Sequence, residues 1–93
     1  MIIVAYDIAS NKSRTKFSKF LKKFGKRIQY SIFQLKNSER ILKNILTDVE
    51  LRYKKEFSNL DNILVMHLCE GCKKKIKRYG NAVYDEEDII FFD

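Results

Sequence analysis

The sequence contains no proline, only three glycines and a single histidine. Because it also lacks low-complexity segments and internal repeats, it offers no linker, and we expect one domain over residues 1–93. The glycines at positions 25, 71 and 80 are too scattered for the glycine-rich loops that cradle nucleotide phosphates. The lone His67 leaves no Ser-His-Asp or Cys-His arrangement, which excludes the common nucleophilic triads.

Long apolar runs are absent as well. No stretch approaches the roughly 18–20 apolar residues that span a bilayer. The N-terminus, Met1 to Asp7, lacks the basic lead and the small-residue cleavage site of a signal peptide. We therefore expect a soluble, cytoplasmic protein with no membrane partner.

Cysteine is scarce, and Cys69 and Cys72 form a single Cys-x-x-Cys pair. A structural zinc site takes four ligands, so this pair is half a site that His67 or a second protomer would have to complete. The lysines at 73–75 would favour a redox role by lowering the pKa of a thiol. Buried or idle thiols are the third interpretation, which the sequence favours.

Acidic residues are rare in the first part of the chain. Residues 1–36 carry nine lysines and arginines against one carboxylate, Asp7, and a second basic cluster lies at 73–78. The last nine residues, in contrast, hold five carboxylates and no cation. A basic surface of this density attracts polyanions, most often nucleic acid, although a solvated helix surface is the simpler alternative.

The apolar pattern predicts alternating strands and helices. Residues 2–6 read as a strand, and Ser10 or Asn11 can cap a helix whose apolar stripe contains Phe17, Phe20, Leu21 and Phe24 and which Gly25 closes. Residues 28–35 read as a strand with imperfect alternation, so that a bend near Tyr30 would split it into two. Ser38 begins a second helix, and residues 62–68 form another apolar strand. A short basic helical turn at 72–78 and short strands at 82–84 and 89–92 follow.

This order predicts an α+β fold, a ferredoxin-like two-layer sandwich (βαββαβ) with an extra C-terminal strand. The strands at 2–6 and 63–68 are apolar on both faces, yet two helices cover only one face of a sheet. A second copy of the chain is the simplest cover for the other face, so we predict a homodimer. Residues 80–93 are then a C-terminal strand tail that can pair across the dimer.

Asp7 is the candidate functional residue because it is a carboxylate that directly follows an apolar strand. A carboxylate there can bind Mg²⁺, but one alone is a poor site, and two copies of Asp7 at a two-fold axis would double the ligands. The alternative, which the residues alone favour, is that Asp7 accepts hydrogen bonds from the following turn.

Three groups of residues carry a resemblance to a known family. They are Tyr6-Asp7-Ile8, then Arg14-x-Lys16, then Leu21-Lys22-x-Phe24-Gly25-x-Arg27-Ile28-Gln29-x-Ser31-Ile32-Phe33. Together they resemble, without gaps over residues 1–35, the CRISPR-associated protein 2 family, the small adaptation subunits described as endoribonucleases. The order and length of the remaining predicted elements agree with that family.

The resemblance implies a ferredoxin-like homodimer that hydrolyses phosphodiester bonds of RNA or DNA and supports the CRISPR integrase during spacer acquisition. By this resemblance, Asp7 of each protomer is the catalytic residue and binds the divalent cation, Mg²⁺, while Ser31 and Phe33 line the cleft. The basic clusters give the candidate nucleic-acid contacts, which are Lys12, Arg14, Lys16, Arg27, Lys74, Lys75, Lys77 and Arg78.

The sequence departs from the family pattern beside Asp7. The loop residues Ser10 and Asn11 replace acidic residues, one of two adjacent arginines is missing, and Gln34 replaces a glutamate. Fewer carboxylates weaken a metal site, whereas phosphate binding needs only cations and backbone donors. A purely structural DNA-binding adaptor without nuclease activity is therefore the alternative function.

Overall fold

Four β-strands form one antiparallel sheet in the computed structural model, which describes residues 1–77 and 79. Its elements are β1 (Ile2–Asp7), α1 (Asn11–Lys22), β2 (Gly25–Gln29), β3 (Ile32–Leu35), α2 (Glu39–Asp48), a π turn (Val49–Tyr53) and a 3₁₀ turn (Lys54–Glu56), β4 (Asn62–His67) and α3 (Glu70–Lys73). The strand order is β2-β3-β1-β4. This topology confirms the predicted α+β, ferredoxin-like sandwich.

β1 lies in the middle of the sheet and contributes to both of its faces. Val4 is in register with Phe33 of β3 on one side and with Val65 of β4 on the other. Because side chains alternate along a strand, Ile2, Val4 and Tyr6 share one face, and all three are buried beneath the helices.

The two helices begin at side-chain caps that the sequence predicts. The Oγ of Ser10 accepts a hydrogen bond from the backbone of Ser13, and the Oγ of Ser38 accepts one from Ile41. The apolar stripe of α1 then packs into the core, where Phe17 and Phe20 lie 5.1 and 5.0 Å from the ring centroid of Tyr53.

Gly25 does not cap α1, so that part of the prediction is wrong. The helix ends at Lys22 with Lys23 as its cap, and Gly25 is the first residue of β2. A Cβ at Gly25 would lie 2.0 Å from the carbonyl oxygen of Gln34 on β3. Glycine is required there because two strand backbones approach closely.

The predicted split near Tyr30 is confirmed, because this region is a hairpin of two strands, although the first begins at Gly25 rather than at residue 28. β2 and β3 are joined at Tyr30 and Ser31, and their register shifts between Arg27 and Gln29, as in a β-bulge. Just before β3 begins, the carbonyl of Ser31 accepts a 3.0 Å hydrogen bond from the backbone N–H of Tyr6. The hairpin turn is thereby attached to the end of β1.

The second face of the sheet, called the open face below, carries Ile3, Ala5 and Asp7 of β1 with their neighbours on β3 and β4. Neither long helix covers it. A depression of about 290 Å³ lies on it between Ile3 and Ile76, and Leu64 remains 55% exposed. The face is apolar and only partly covered, as the sequence predicts.

The end of the chain is only partly described. The predicted basic helical turn is α3, which begins at Glu70 rather than at residue 72. The C-terminal tail at 80–93, with its predicted strands at 82–84 and 89–92, lies outside the described residues. Within the described residues, no helix combines the length and the apolar character needed to cross a membrane.

Candidate functional site

Asp7 is the last residue of β1 and is in register with Asn62 of β4. It belongs to the open face because it alternates with the buried Tyr6. Its side chain is exposed, and its carboxylate has no hydrogen bond or ion pair with any residue that the structure describes. A carboxylate left free in this way can bind a cation without first losing a protein partner.

Asp61 performs the hydrogen-bonding role that was the alternative for Asp7. Its Oδ1 accepts a 2.9 Å bond from the backbone N–H of Ala9, and its Oδ2 accepts a 3.0 Å bond from Ser58. These bonds hold the pKa of the Asp61 carboxyl below its ordinary value. Sequence analysis missed Asp61, although Ser58 and Asn59 just before it are residues typical of turns.

Arg14 is held at the same end of the sheet as Asp7. Its Nη1 donates a 3.1 Å hydrogen bond to the carbonyl of Ile8, and its Nη2 donates to Asn11 Oδ1. Its guanidinium also lies 6.0 Å from the centroid of the Tyr30 ring. The structure therefore brings Asp7, Arg14 and the backbone of Ser31 to one end of the sheet, while the guanidinium keeps further N–H donors for phosphate.

Phe33 lies on the opposite face of the sheet from Asp7. It is completely buried on the helix-covered face, with its ring centroid 6.3 Å from that of Tyr6 and 5.3 Å from the Arg27 guanidinium. The resemblance placed Phe33 near the cleft, whereas within this single chain the residue is part of the core. Burial raises the pKa of Tyr6, and the neighbouring Arg27 partly offsets this effect.

The exposed side of α1 carries a basic surface formed by Lys12, Lys16 and Lys19. Lys16 is already engaged, because its Nζ lies 2.7 Å from Glu56 Oε1. This bond lowers the pKa of Glu56. Lys12 and Lys19 have no ion pair within the described part of the chain, so they present their charge fully to a polyanion.

The second predicted basic cluster follows α3. Lys74, Lys75 and Lys77 are exposed there, and Arg78 lies outside the described residues. Lys77 borders the apolar depression on the open face. This cluster follows the His67 end of β4, whereas Asp7 pairs with the Asn62 end.

Cys69 and Cys72 are free and exposed, with their sulfurs 3.2 Å apart. The Sγ of Cys69 caps α3 by accepting a hydrogen bond from the backbone of Cys72. The hydrogen bonds from Cys72 lower the pKa of Cys69, and the same pairing raises the pKa of Cys72. The thiols are therefore not buried, so that half of the prediction of buried or idle thiols is wrong, and that they are idle stays a prediction. Within the described part of the chain, no group of three or more potential metal ligands includes the pair.

A family model described as CRISPR associated protein Cas2 matches residues 1–76. The chain belongs to the Cas2 family. It is 29% identical over 91 residues to a protein of Methanospirillum hungatei named "CRISPR-associated endoribonuclease Cas2 2", with 96% of each chain covered. A protein of the same name from Synechocystis sp. is 28% identical over 90 residues, covering 95% of this chain and 94% of that protein.

Solved structures agree with the Cas2 assignment at the level of the fold. A hypothetical protein from Thermus thermophilus matches with a TM-score of 0.68 and 25% identity, over 86% of this chain and 89% of that one. Cas2 of Streptococcus pyogenes matches with a TM-score of 0.64 and 19% identity, over 85% and 98% of the two chains.

The residues of this Cas2-family chain fit a Mg²⁺ ion only in part. Mg²⁺ prefers oxygen ligands and is commonly held by one or two carboxylates together with waters and substrate phosphates. The free carboxylate of Asp7 and the neighbouring amide of Asn62 are oxygen ligands of this kind. Asp61 directly precedes Asn62, but both of its carboxylate oxygens already accept hydrogen bonds from backbone N–H groups. One protomer therefore offers a single free carboxylate, that of Asp7, at this end of the described structure.

Proposed function

We propose that the protein is a homodimeric, Mg²⁺-dependent endonuclease that cleaves phosphodiester bonds of RNA or DNA. We further propose that it serves CRISPR adaptation as the nucleic-acid-binding scaffold of the integrase. One observation carries the catalytic part: the unengaged carboxylate of Asp7 ends the central strand on the open face of the sheet.

Dimerisation through the open face would supply the second carboxylate. Leu64 is 55% exposed on this face, and Ile32 and Met66 are only half-buried. Covering such apolar side chains with a second copy is favourable, by about 25 cal/mol for each Å² removed from water. A two-fold axis near the Asp7 end would place the two Asp7 carboxylates together, and the pair satisfies Mg²⁺ better than one does.

The residues at this site would divide the work of hydrolysis. Mg²⁺, when bound, would stabilise the developing negative charge and lower the pKa of an attacking water. The Asp7 pair would hold the cation. Arg14, fixed by the carbonyl of Ile8, would hold a phosphate oxygen of the substrate with its remaining donors.

The catalytic proposal is tested with Asp7→Ala and, as a matched loss of one carboxylate, Asp48→Ala on α2. Cleavage of labelled RNA and DNA is measured in Mg²⁺ and in a chelator. We expect Asp7→Ala to lower the Mg²⁺-dependent rate at least about 100-fold, because several kcal/mol of transition-state stabilisation depend on the cation. Cleavage that survives Asp7→Ala in pure protein would disprove the mechanism.

The shared site has a separate test. Refolding wild-type chains with an excess of Asp7→Ala chains produces mixed dimers. If each site needs an Asp7 from both protomers, activity falls below the fraction of wild-type chains present. Activity equal to that fraction or above it would show that one Asp7 suffices.

The dimer itself is tested by light scattering, which should report a particle of about twice 11.1 kDa. Leu64→Glu places a charge on the open face and should shift the protein toward the monomer. A wild-type monomer at all concentrations would contradict both the packing argument and the shared site.

A structural adaptor without nuclease activity is the second candidate, and the basic surface of α1 favours it. Lys12 and Lys19 lie on α1, and binding phosphates through them requires neither Asp7 nor a metal. Normal duplex binding together with no Mg²⁺-dependent cleavage by wild-type protein would favour this candidate.

A further inference from the structure

The two cysteines lie at the opposite end of β4 from the Asp7 site, and the proposed nuclease does not use them. Cys69 follows the His67 end of β4 by two residues, whereas Asp7 pairs with the Asn62 end. Cys69 and Cys72 are both exposed, and neither is in a disulfide. Their sulfurs lie 3.2 Å apart, so the pair is placed for a chemical step that involves both thiols.

The backbone next to Cys69 is held in place. The amino group of Met1 donates a 2.9 Å hydrogen bond to the carbonyl of Leu68, and the Leu68 N–H donates a 2.7 Å bond to the carbonyl of Met1. The first turn of α3 then brings Cys72 to the same side as Cys69, because residues three apart are neighbours on a helix. A disulfide has a sulfur–sulfur distance of about 2.05 Å, so closing the pair takes a movement of only ~1 Å.

The two thiols differ in reactivity. The backbone N–H of Cys72 donates a 3.4 Å hydrogen bond to Cys69 Sγ, and together with the Cys72 thiol it lowers the pKa of Cys69. The same pairing raises the pKa of Cys72. Since the thiolate is the attacking species, Cys69 is the first nucleophile and Cys72 the second. Gly71 lies between them and has no side chain to cover the Cys69 sulfur, since even an added Cβ would lie 3.9 Å from it.

We propose that Cys69 and Cys72 form a redox-active dithiol that reduces small anionic disulfides of the glutathione class and thereby becomes a disulfide itself. The local charge favours an anionic reagent, because residues 70–77 contain four lysines and one carboxylate. The lysines at 74, 75 and 77 are exposed. The dithiol shares no residue with the Asp7 site, so it goes beyond the proposed nuclease and stands independently of it.

The reaction takes two electrons from the protein in two exchange steps. Cys69 loses its proton to solvent, and its sulfur attacks one sulfur of the small disulfide. The S–S bond of that disulfide breaks, one half leaves as a thiolate that takes up a proton, and the other half stays on Cys69 as a mixed disulfide. Cys72 then loses its proton and attacks the Cys69 sulfur, and the second half leaves and is protonated in the same way. Two protein thiols are oxidised to one disulfide, and the reagent is reduced to two thiols.

The test incubates the purified protein with excess glutathione disulfide, with and without a metal chelator, and follows the products by intact-mass spectrometry. Wild type should lose the two thiol hydrogens and retain no glutathione. Cys72→Ser should retain one glutathione on Cys69, because no second thiol is present to release it. Cys69→Ser should react about threefold or more slowly than Cys72→Ser, since its remaining thiol lacks the donors that activate Cys69. Serine also caps helices, so the two variants are matched for folding.

The charge of the reagent is tested with cystamine, a small cationic disulfide. Added NaCl should slow oxidation by glutathione disulfide and speed oxidation by cystamine, because screening removes an attraction in the first case and a repulsion in the second. Lys74→Gln with Lys75→Gln should flatten both salt trends. The charge-matched Lys43→Gln with Lys55→Gln should leave them unchanged, because these lysines lie outside α3 and the segment that follows it.

Each contrary result overturns the proposal. Wild type that retains glutathione, as Cys72→Ser does, would show that the two sulfurs do not meet in solution. Thiols that stay reduced would be idle, and thiols that oxidise only after the chelator is added would be metal ligands. Salt trends of the same sign for both reagents would contradict selection of an anionic disulfide. Asp7→Ala should be oxidised as fast as wild type, so failure of the nuclease proposal and failure of this one are distinguishable.

Discussion

The Oδ1 of Asp61 accepts a 2.9 Å hydrogen bond from the backbone N–H of Ala9, 52 residues away in the sequence. Its second oxygen accepts from Ser58, so one carboxylate joins the loop after β1 to the turn before β4. Asp7 is therefore not needed to hold that loop. The two aspartates at this end of the sheet have separate duties, one structural and one available for chemistry.

Asp61→Ala should destabilise the protein at neutral pH by removing both backbone bonds. The pKa of Asp61 is lowered from an ordinary value of 3.8, so its contribution is present above that pH and disappears as pH falls through the lower native pKa. The difference in Tm between wild type and Asp61→Ala should therefore be constant near pH 7 and shrink below about pH 4. A gap that persists in strong acid would mean that the carboxylate charge is not what stabilises the loop.

Gly25→Ala should destabilise the fold by about 3 kcal/mol, because the new Cβ would overlap the backbone of Gln34 on β3. Gly71→Ala is the matched control, since the nearest atom to its added Cβ is the Sγ of Cys69 at 3.9 Å. That change should be neutral or stabilising by up to ~1 kcal/mol. Urea denaturation of both variants measures the difference, and equal midpoints would refute the close approach of β2 and β3.

Lys12→Gln should reduce the salt dependence of duplex binding more than Lys16→Gln does. Each phosphate contact contributes about 0.9 to the slope of log K against log salt, and Lys16 is partly occupied by Glu56. Glu56→Gln frees Lys16 and should strengthen binding. Fluorescence anisotropy over a range of NaCl concentrations gives the slopes. An equal loss in Lys43→Gln would mean that binding does not use the α1 surface.

Cys69 should react with iodoacetamide before Cys72 does. The hydrogen bonds from Cys72 lower the pKa of Cys69, so more of it is thiolate near pH 8, whereas the pKa of Cys72 is raised. Peptide mapping after brief alkylation identifies the modified sulfur. Cys72→Ala should slow the reaction of Cys69 by removing one of its donors. Equal alkylation of the two thiols would show that the short helix α3 does not hold this geometry in solution.

The features that local sequence determines were predictable. Ser10 and Ser38 each precede a helical apolar stripe, and a cap depends only on residues three positions away. Gly25 was misassigned because a glycine after a helix is explained equally well by a left-handed cap and by close packing. Only the position of Gln34 across the hairpin distinguishes the two explanations.

The position of Asp7 at the end of β1 was predictable, but its surroundings were not. Asp61 has a partner that only the pairing of β1 with β4 brings near, so no local pattern reveals it. Phe33 was placed in the cleft because a motif gives position along the chain and not the face of the sheet. The turn at Tyr30 and Ser31 interrupts the alternation that would have fixed that face.

The central position of β1 constrains how the chain folds as it is synthesised. β1 leaves the ribosome before both of the strands that pair with it, β3 and β4, and β4 begins only at Asn62. Until then an apolar strand has an unpaired edge, which is the kind of segment that pairs with other chains. The yield of correctly folded protein therefore depends on how long that edge stays exposed, and faster completion of residues 62–67 should favour it.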